Sequence, residues 1–506
     1  MNTIIELLAS QARTRPGAPA VIADHLTLDW ASLYEAACRM SSMLRIDGVG
    51  PGDHVALLCS NCPAFIVTWF GIASCGAVTV SLNTGLVGEG LRYSIEQSDA
   101  RTVVIERSLW KNKQADLAPA LAGRSVIMFD NDAELLGRLR AFDPAQPYPG
   151  CDSDPCTLIY TSGTTGRPKG VVNSHRAYIA CGLQSAQLLG LEADDRIMVV
   201  LPLFHTNPQM YAVMSALTVG CSVVIRPRFS VSGFFRDAQK FGCTVFTYVG
   251  TVLTMLVSGT TGDQGDHSLR TCIGGGAPVD VWKKMIDRFG IQVQELYGMT
   301  EIGGWVTGNR LGHIRVGSCG QVRPDVEVGI FDENDKPLPP GGRGEIVVRP
   351  KQPSILLNGY YKNPSASWAS ARNFWFHTGD SGSLDDDGYL YFHGRMNELI
   401  RRGGENISPI EIETALIEHP ELLEAFVVGV PDAIYGEEIK VVLVPRYAEF
   451  DPRSIREFLS GRVPDFMLPR YVQFTSAVPK TETQKVQRKA LVNLAGPVID
   501  LNEGTK

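Results

Sequence analysis

Residues 31–46, ASLYEAACRMSSMLRI, repeat apolar positions at helical spacing and stop at the turn-rich DGVGPGD. HVALLC follows as a short apolar run, which reads as a buried strand. The alternation recurs. RTVVIE and SVIMF have strand character, and AYIACGLQSAQLLG has helical character. Alternating strands and helices predict α/β layers with mostly parallel strands. Further on the pattern changes. GEIVVRP, DSGSL and YLYFHGR are strand-like, and DDDG joins the last two as a turn. After Arg395 the pattern restarts: PIEIETALIEH is helical, EAFVVGVP and EIKVVLVP are strands, and SIREFLSGR is helical. That is an α+β unit of its own. The predicted boundary lies near Met396–Asn397, giving domains 1–396 and 397–506. No flexible composition marks the join, so a short hinge is expected rather than a tether.

One uncharged tract, Val55 to Gly88, is long enough to be mistaken for a membrane span. Pro63, Ser60, Asn61, Asn83 and several glycines break it into short pieces, so buried core is expected and no integral membrane contact. The opening MNTIIELLASQARTRPG has no basic first segment, and Glu6 interrupts its apolar run; no secretory signal is expected.

The 506 residues carry a net charge of −7, with 44% hydrophobic and 20% charged residues. No basic stripe of the kind that binds nucleic acid is present. The 11 cysteines are scattered, which fits reduced thiols in a cytoplasmic enzyme. Cys59 and Cys62 form a C-x-x-C with no second pair at zinc-site spacing, so they are read as buried thiols.

The stretch with most chemistry is TLIYTSGTTGRPKGV, Thr157 to Val171. An apolar strand runs into a loop in which Gly163, Gly166 and Gly170 let backbone N–H groups approach an anion. Ser162, Thr164 and Thr165 add hydroxyl donors, and Lys169 adds positive charge. A polyphosphate needs this combination. The spacing is not that of a Walker loop, and Gly170 rather than Ser or Thr follows the lysine.

YTSGTTGRPKG resembles the signature of the adenylate-forming superfamily, which includes acyl-CoA synthetases, adenylation domains of peptide synthetases and luciferases. Other segments resemble further family motifs in order: LPLFHTN (201–207), GGGAPV (274–279), YGMTE (297–301), HTGD (377–380), GRMNELIRRGGENISPIEIE (394–413) and PKTETQKVQRKAL (479–491). The resemblance spans essentially the whole chain and is nearest to acyl-CoA ligases.

The resemblance implies a large N-terminal domain of layered α/β sheets with a β-barrel-like part, and a small mobile C-terminal α+β domain. It implies a nucleotide site built from Thr161, Ser162, Gly163, Thr164, Thr165, Gly166 and Lys169. To these it adds Gly274, Gly275, Gly276, Ala277 and Pro278, then Tyr297, Gly298, Met299 and Thr300, and lastly Asp380 and Arg395. Tyr297 offers a flat face for adenine, and Asp380 can accept the ribose hydroxyls. Glu301 is a hard oxygen ligand for Mg2+. Lys485 would sit where carboxylate and α-phosphate meet; Thr161 and His205 complete the expected catalytic set. The acyl pocket is expected from His205, Thr206, Asn207, Tyr211, Gly275 and Trp305. Coenzyme A is expected at Arg402, Gly403, Gly404 and Glu405, after a turn at a hinge on Asn397.

Two positions depart from the family pattern. Gln484 stands where glycine usually precedes the lysine, and Asn397 replaces the usual Asp or Lys of the hinge. Neither removes a charge the chemistry needs. GDHSLR, residues 265–270, contains the D-x-S pattern of a carrier protein, but no carrier domain surrounds it and it reads as a loop.

The expected activity is ATP-dependent ligation of a carboxylic acid to coenzyme A through an acyl-adenylate, with release of pyrophosphate and AMP. PLFHTNPQMYAV has no acid to hold a substrate amino group, and Trp305, Tyr211 and Met214 would narrow the pocket toward a short, medium or aromatic acid. Three rivals stay open at this point. One is a stand-alone adenylation enzyme that loads a carrier protein or forms an amide. The second is a luciferase-like oxidase, and the third is a homologue that only binds ATP. A homodimer also stays open.

Overall fold

The computed structural model describes residues 2–161, 168–260, 267–396, 398–402, 405–432, 435–447, 450–460, 462–463, 465–480 and 486–502. The chain divides into two compact units. The first comprises Met1–Ala277, Val281–Val328 and Val348–Phe376, and the second Pro278–Asp280, Gly329–Val347 and His377–Lys506.

Unit one holds two large sheets. The nine-stranded sheet runs from Gln321–Val322 through Gly304–Gly308, Gln292–Met299, Thr271–Gly275 and Val245–Val249. It continues through Arg196–Val199, Ser222–Ile225 and Pro19–Ile22 to Thr27–Asp29. Its interior pairings are parallel and those at both edges antiparallel. The seven-stranded sheet places Lys169–Ser174 beside Pro155–Thr161, antiparallel, and Pro155–Thr161 beside Val78–Ser81, parallel. The parallel order predicted from the alternation is thus the rule inside each sheet and fails only at the edges.

The uncharged tract becomes strand His54–Leu58, helix Pro63–Ser74 and strand Val78–Ser81. All twelve residues of that helix are buried. A helix of this length that is apolar on every face, with only Thr68 and Ser74 polar, belongs in a core. Among the described residues no helix is long and apolar enough to cross a membrane. Helices Trp30–Ile46 and His175–Leu189 share one core with it, built on Trp69, Phe70, Tyr178 and Trp305. A second core, on Phe246, Trp282, Met285 and Phe289, covers another face of the nine-stranded sheet.

Several chemistry-bearing segments stand at the carboxyl ends of strands. Thr161 ends Pro155–Thr161, Gly275 ends Thr271–Gly275, and Met299 ends Gln292–Met299. Open α/β sheets place their ligand sites at such ends.

Unit two contains the hairpin Trp375–Leu384/Leu390–Arg395 from His377 onward, and a six-stranded sheet. In that sheet Leu422–Asp432 pairs antiparallel with Gly436–Pro445, which pairs in parallel with Tyr471–Phe474. Helix Pro409–Ile417 contributes Ile412 and Leu416 to a core with Val427, Ile439 and Val441. The helix predicted over SIREFLSGR is shorter than its pattern, Ser454–Leu459.

Candidate active site

The two strands flanking the phosphate-type loop form one antiparallel pair, and Thr161 lies opposite Lys169. The loop residues Ser162, Gly163, Thr164, Thr165 and Gly166 lie outside the described residues, but their anchors do not. Thr161 donates its hydroxyl to Glu301 Oε1 at 3.0 Å. The Tyr360 hydroxyl donates to the same oxygen at 3.3 Å. The Lys169 ammonium lies 5.0 Å from the centre of the Tyr360 ring, within cation–π range. Glu301 itself is 5% exposed, on the single turn Thr300–Ile302. Its neighbour Thr300 exchanges a 2.9 Å hydroxyl–hydroxyl hydrogen bond with Thr206. Segments far apart in sequence therefore meet on YGMTE: the loop root and Tyr360 at the Glu301 carboxylate, and LPLFHTN at the neighbouring Thr300. Glu301, with the Thr161 hydroxyl beside it, offers hard oxygen donors of the kind that suit Mg2+.

The glycine-rich turn is a second focus. Strand Thr271–Gly275 pairs in parallel with Gln292–Met299. A Cβ on Gly274 would stand 2.1 Å from the Tyr248 carbonyl oxygen, and Gly276 has φ +88°. Neither position accepts a side chain without rebuilding the turn. The turn is held by Glu295, a buried carboxylate the sequence reading missed. It accepts from the Ala277 N–H at 3.1 Å, from the Gly276 N–H, and from the Tyr248 hydroxyl at 2.6 Å. Burial pushes the Glu295 carboxyl up to about 7, against these hydrogen bonds, which favour the anion. Pro278 belongs to unit two and is half-buried. Tyr297 is buried, while Gly298 is open.

The segment carrying His205 is fixed by residues with no motif of their own. Asn61 donates to the Leu201 carbonyl at 2.8 Å and accepts from the Leu203 N–H at 2.7 Å. Gln209 is fully buried; it donates to the Leu203 carbonyl at 2.7 Å and accepts from the Tyr178 hydroxyl at 2.6 Å. Gln209 lies in a π-helical turn, Pro208–Val213, a feature common at functional sites. The His205 ring packs 4.5 Å from that of Phe204. Asn207 donates to the Tyr248 carbonyl at 3.0 Å, while its Oδ1 is buried with no partner among the described residues. Tyr211 and Trp305 are both buried, and the Trp305 indole N–H donates to Ser185 at 2.8 Å.

In unit two, Asp380 and Arg395 face each other across the hairpin, with Arg395 Nε 3.1 Å from Asp380 Oδ1. Asp380 is 3% exposed. Glu345, also missed, positions the HTGD turn: it takes the His377 Nδ1 at 2.8 Å and the Gly379 N–H at 3.0 Å. Arg402 is engaged with buried Glu438 through Nε at 2.5 Å and Nη2 at 3.1 Å, with the Tyr435 ring beneath it. Asn397, Gly403, Gly404 and Lys485 lie outside the described residues, and Glu405 is described only as part of strand Glu405–Ile407. Arg488, just after the lysine segment, is tied to Glu413 and, at 3.3 Å, to Glu398.

A model of the AMP-binding enzyme family matches residues 8–361, and one of the AMP-binding enzyme C-terminal domain matches residues 411–485. The chain is 35% identical to a sulfoacetate–CoA ligase of Cupriavidus necator, over 98% of each chain. It is 32% identical to a crotonobetaine/carnitine–CoA ligase of Salmonella paratyphi A, over 91% of this chain and 92% of that one. Among solved structures, the anthranilate CoA ligase AuaEII in complex with anthranoyl-AMP superposes with a TM-score of 0.89 at 25% identity, over 97% and 96% of the two chains. ATP-bound MatB from Rhodopseudomonas palustris superposes with a TM-score of 0.89 at 28% identity, over 97% and 99%.

Proposed function

The chain belongs to the AMP-binding enzyme family and is an ATP-dependent, AMP-forming acid–CoA ligase that works through an acyl-adenylate; on that premise we propose which residues perform each step and what kind of acid they take. In the first half-reaction a carboxylate oxygen attacks the α-phosphorus of ATP and pyrophosphate leaves. In the second, the coenzyme A thiol attacks the acyl carbonyl and AMP leaves.

The observation that carries the assignment is the convergence of Thr161, Tyr360 and nearby Lys169 on Glu301 at the root of the phosphate-type loop. The loop hydroxyls and backbone of residues 162–166, with Lys169, hold the β- and γ-phosphates. Glu301 would hold Mg2+, which would offset phosphate charge. Tyr297 and the turn Gly274–Pro278 enclose the adenine, with Gly298, Met299 and Thr300 lining the phosphate side. Asp380 accepts from the ribose hydroxyls, and Arg395, paired with it, keeps that carboxylate aimed.

Lys485 supplies a cation where two anions must meet, so it acts mainly on the transition state. The first half-reaction therefore needs positioning and charge, with no covalent enzyme nucleophile. The C-terminal domain, joined at Met396–Asn397, then turns on Asn397. The turn withdraws Lys485 and brings the backbone of Gly403, Gly404 and Glu405 to the pantetheine arm. Arg402 supports that strand through Glu438.

The acid lies against His205, Thr206, Asn207, Tyr211, Gly275 and Trp305. Two buried aromatic residues and the unpartnered Asn207 Oδ1 support a compact acid. The relatives named above fit this, since sulfoacetate, crotonobetaine and carnitine are all compact polar acids.

The test is acid-dependent pyrophosphate release with ATP and Mg2+ across a panel of carboxylic acids, with and without coenzyme A. Turnover on compact acids only when coenzyme A is present is the expected result. Turnover driven equally by a carrier protein or an amine, with coenzyme A silent, would defeat the acceptor assignment.

A further inference from the structure

We propose that Arg323 selects, at the far end of the acyl pocket, acids that carry a second anionic group, a carboxylate or a sulfonate. The proposal rests on the reading of Tyr211 and Trp305 as pocket residues. No motif covers Arg323, and an arginine is among the residues least often found fully buried. Here the side chain is fully enclosed in unit one.

Its surroundings connect it to the pocket. The guanidinium carbon lies 5.5 Å from the centre of the Trp305 ring. Its Nη1 points to the Gly303 carbonyl at 3.4 Å, on the segment between Glu301 and Trp305. The intervening Gly304 has φ +94°, and a Cβ there would stand 2.5 Å from Cys181 Sγ and 3.3 Å from the Tyr211 ring. The Tyr211 hydroxyl in turn lies 2.9 Å from where a Gly298 Cβ would be. Gly298, Tyr211, Gly304, Trp305 and Arg323 thus form a continuous run from the nucleotide segment to the guanidinium.

The guanidinium is only partly satisfied. Nε donates to Asp325 Oδ1 at 2.6 Å. Among the described residues, Nη2 has no acceptor, and Asp325 Oδ2 has no donor. A buried ion pair kept only for the fold is expected to use both carboxylate oxygens, because each unmet charged group carries a desolvation penalty. One bond to Asp325 holds the guanidinium in place and leaves a charged N–H for another acceptor. A carboxylate or sulfonate two or three carbons from the reacting carboxyl supplies it. An acid ending in a methyl group does not, and leaves that N–H unmet.

The experiment compares kcat/KM for pyrophosphate release, with coenzyme A present, on matched acids: butyrate against succinate, and propionate against malonate and sulfoacetate. It is run on the wild type, Arg323→Met and Arg323→Lys. The wild type is expected to prefer the acids with a second anionic group by about 10- to 100-fold. Arg323→Met should collapse that ratio, through KM for the acid rather than KM for ATP, and Arg323→Lys should restore part of it. The malonate and sulfoacetate arms distinguish a carboxylate reader from a sulfonate reader.

A wild type that favours the methyl-ended acids, or an Arg323→Met enzyme that loses both classes equally, overturns the proposal and leaves the ligase assignment standing. If Arg323→Met fails to fold, the wild-type ratio and Arg323→Lys still decide. Absence of coenzyme A-dependent turnover on every acid defeats the ligase reading and the proposal with it.

Discussion

Glu295 and Glu301 stand six positions apart on one run of chain, and both are almost fully buried. Their surroundings differ. Glu295 is locked by the N–H groups of Gly276 and Ala277 and by the Tyr248 hydroxyl. Glu301 meets the side-chain hydroxyls of Thr161 and Tyr360 at longer range, with Lys169 beyond them. Backbone donors cannot move aside, so the first carboxylate holds a turn in shape. Hydroxyl donors rotate, so the second can release them when a cation and phosphates arrive. On the roles proposed above, two glutamates of similar burial divide into a structural clamp and a ligand-facing group, according to who donates to them.

The largest expected effect falls on the ligand-facing member. Glu301→Gln keeps the shape and most hydrogen-bonding capacity but removes the charge. Acid-dependent pyrophosphate release should fall by roughly 10²- to 10³-fold in kcat, with the melting temperature nearly unchanged, by analogy with loss of one transition-state charge contact. A large drop in melting temperature with intact kcat would reverse the division of roles.

Glu295→Gln should do the opposite. Its amide keeps one acceptor and cannot serve both N–H groups and the tyrosine as a carboxylate does, so KM for ATP should rise about 3- to 10-fold with kcat little changed. The pH dependence is sharper. In the unfolded chain this carboxyl loses its proton near 4.5, but in the folded chain only at about 7, because of burial. Between those values the folded state holds the extra proton. Stability from this group is therefore full below pH 4.5, falls as pH rises to 7 and is constant above. His175 and His393, both lowered to about 4 by burial, act in the opposite sense between pH 4 and 6.5. The clean observable is the difference between wild type and variant. It should move against the wild type by at most about 3 kcal/mol from pH 4.5 to 7 in denaturant titrations. A difference moving in the wild type's favour would show that the hydrogen bonds to the anion outweigh its burial.

The same contrast explains what could be read from the sequence. Glu301 was legible because its motif is contiguous, and Thr161 because it roots a run of glycines and hydroxyls. Strand and helix periodicity identified most elements, including the α+β unit after Arg395, because each pattern is local. Asn61 grips Leu201 and Leu203 from some 140 positions away, and Glu345 reaches His377 across 32. Glu295 and Gln209 look like ordinary polar residues until the fold buries them. Arg323 looks like a surface arginine for the same reason. Polar residues whose role is to satisfy backbone groups carry no periodicity and no spacing, so only tertiary structure exposes them.

The smallest effect belongs to Tyr360, which touches both the carboxylate and the cation. Tyr360→Phe removes a 3.3 Å hydrogen bond to Glu301 and leaves the ring under Lys169. A long hydrogen bond to a carboxylate that already has Thr161 contributes little, so kcat/KM should fall only about 2- to 5-fold. Tyr360→Ala also removes the aromatic face and should reduce it further, by a factor of about 3 to 10, mainly in KM for ATP. A loss for the phenylalanine variant as large as that of Glu301→Gln would mean that the hydroxyl cannot step aside. Glu301 would then be a clamp of the same kind as Glu295, and the distinction drawn between them would fall.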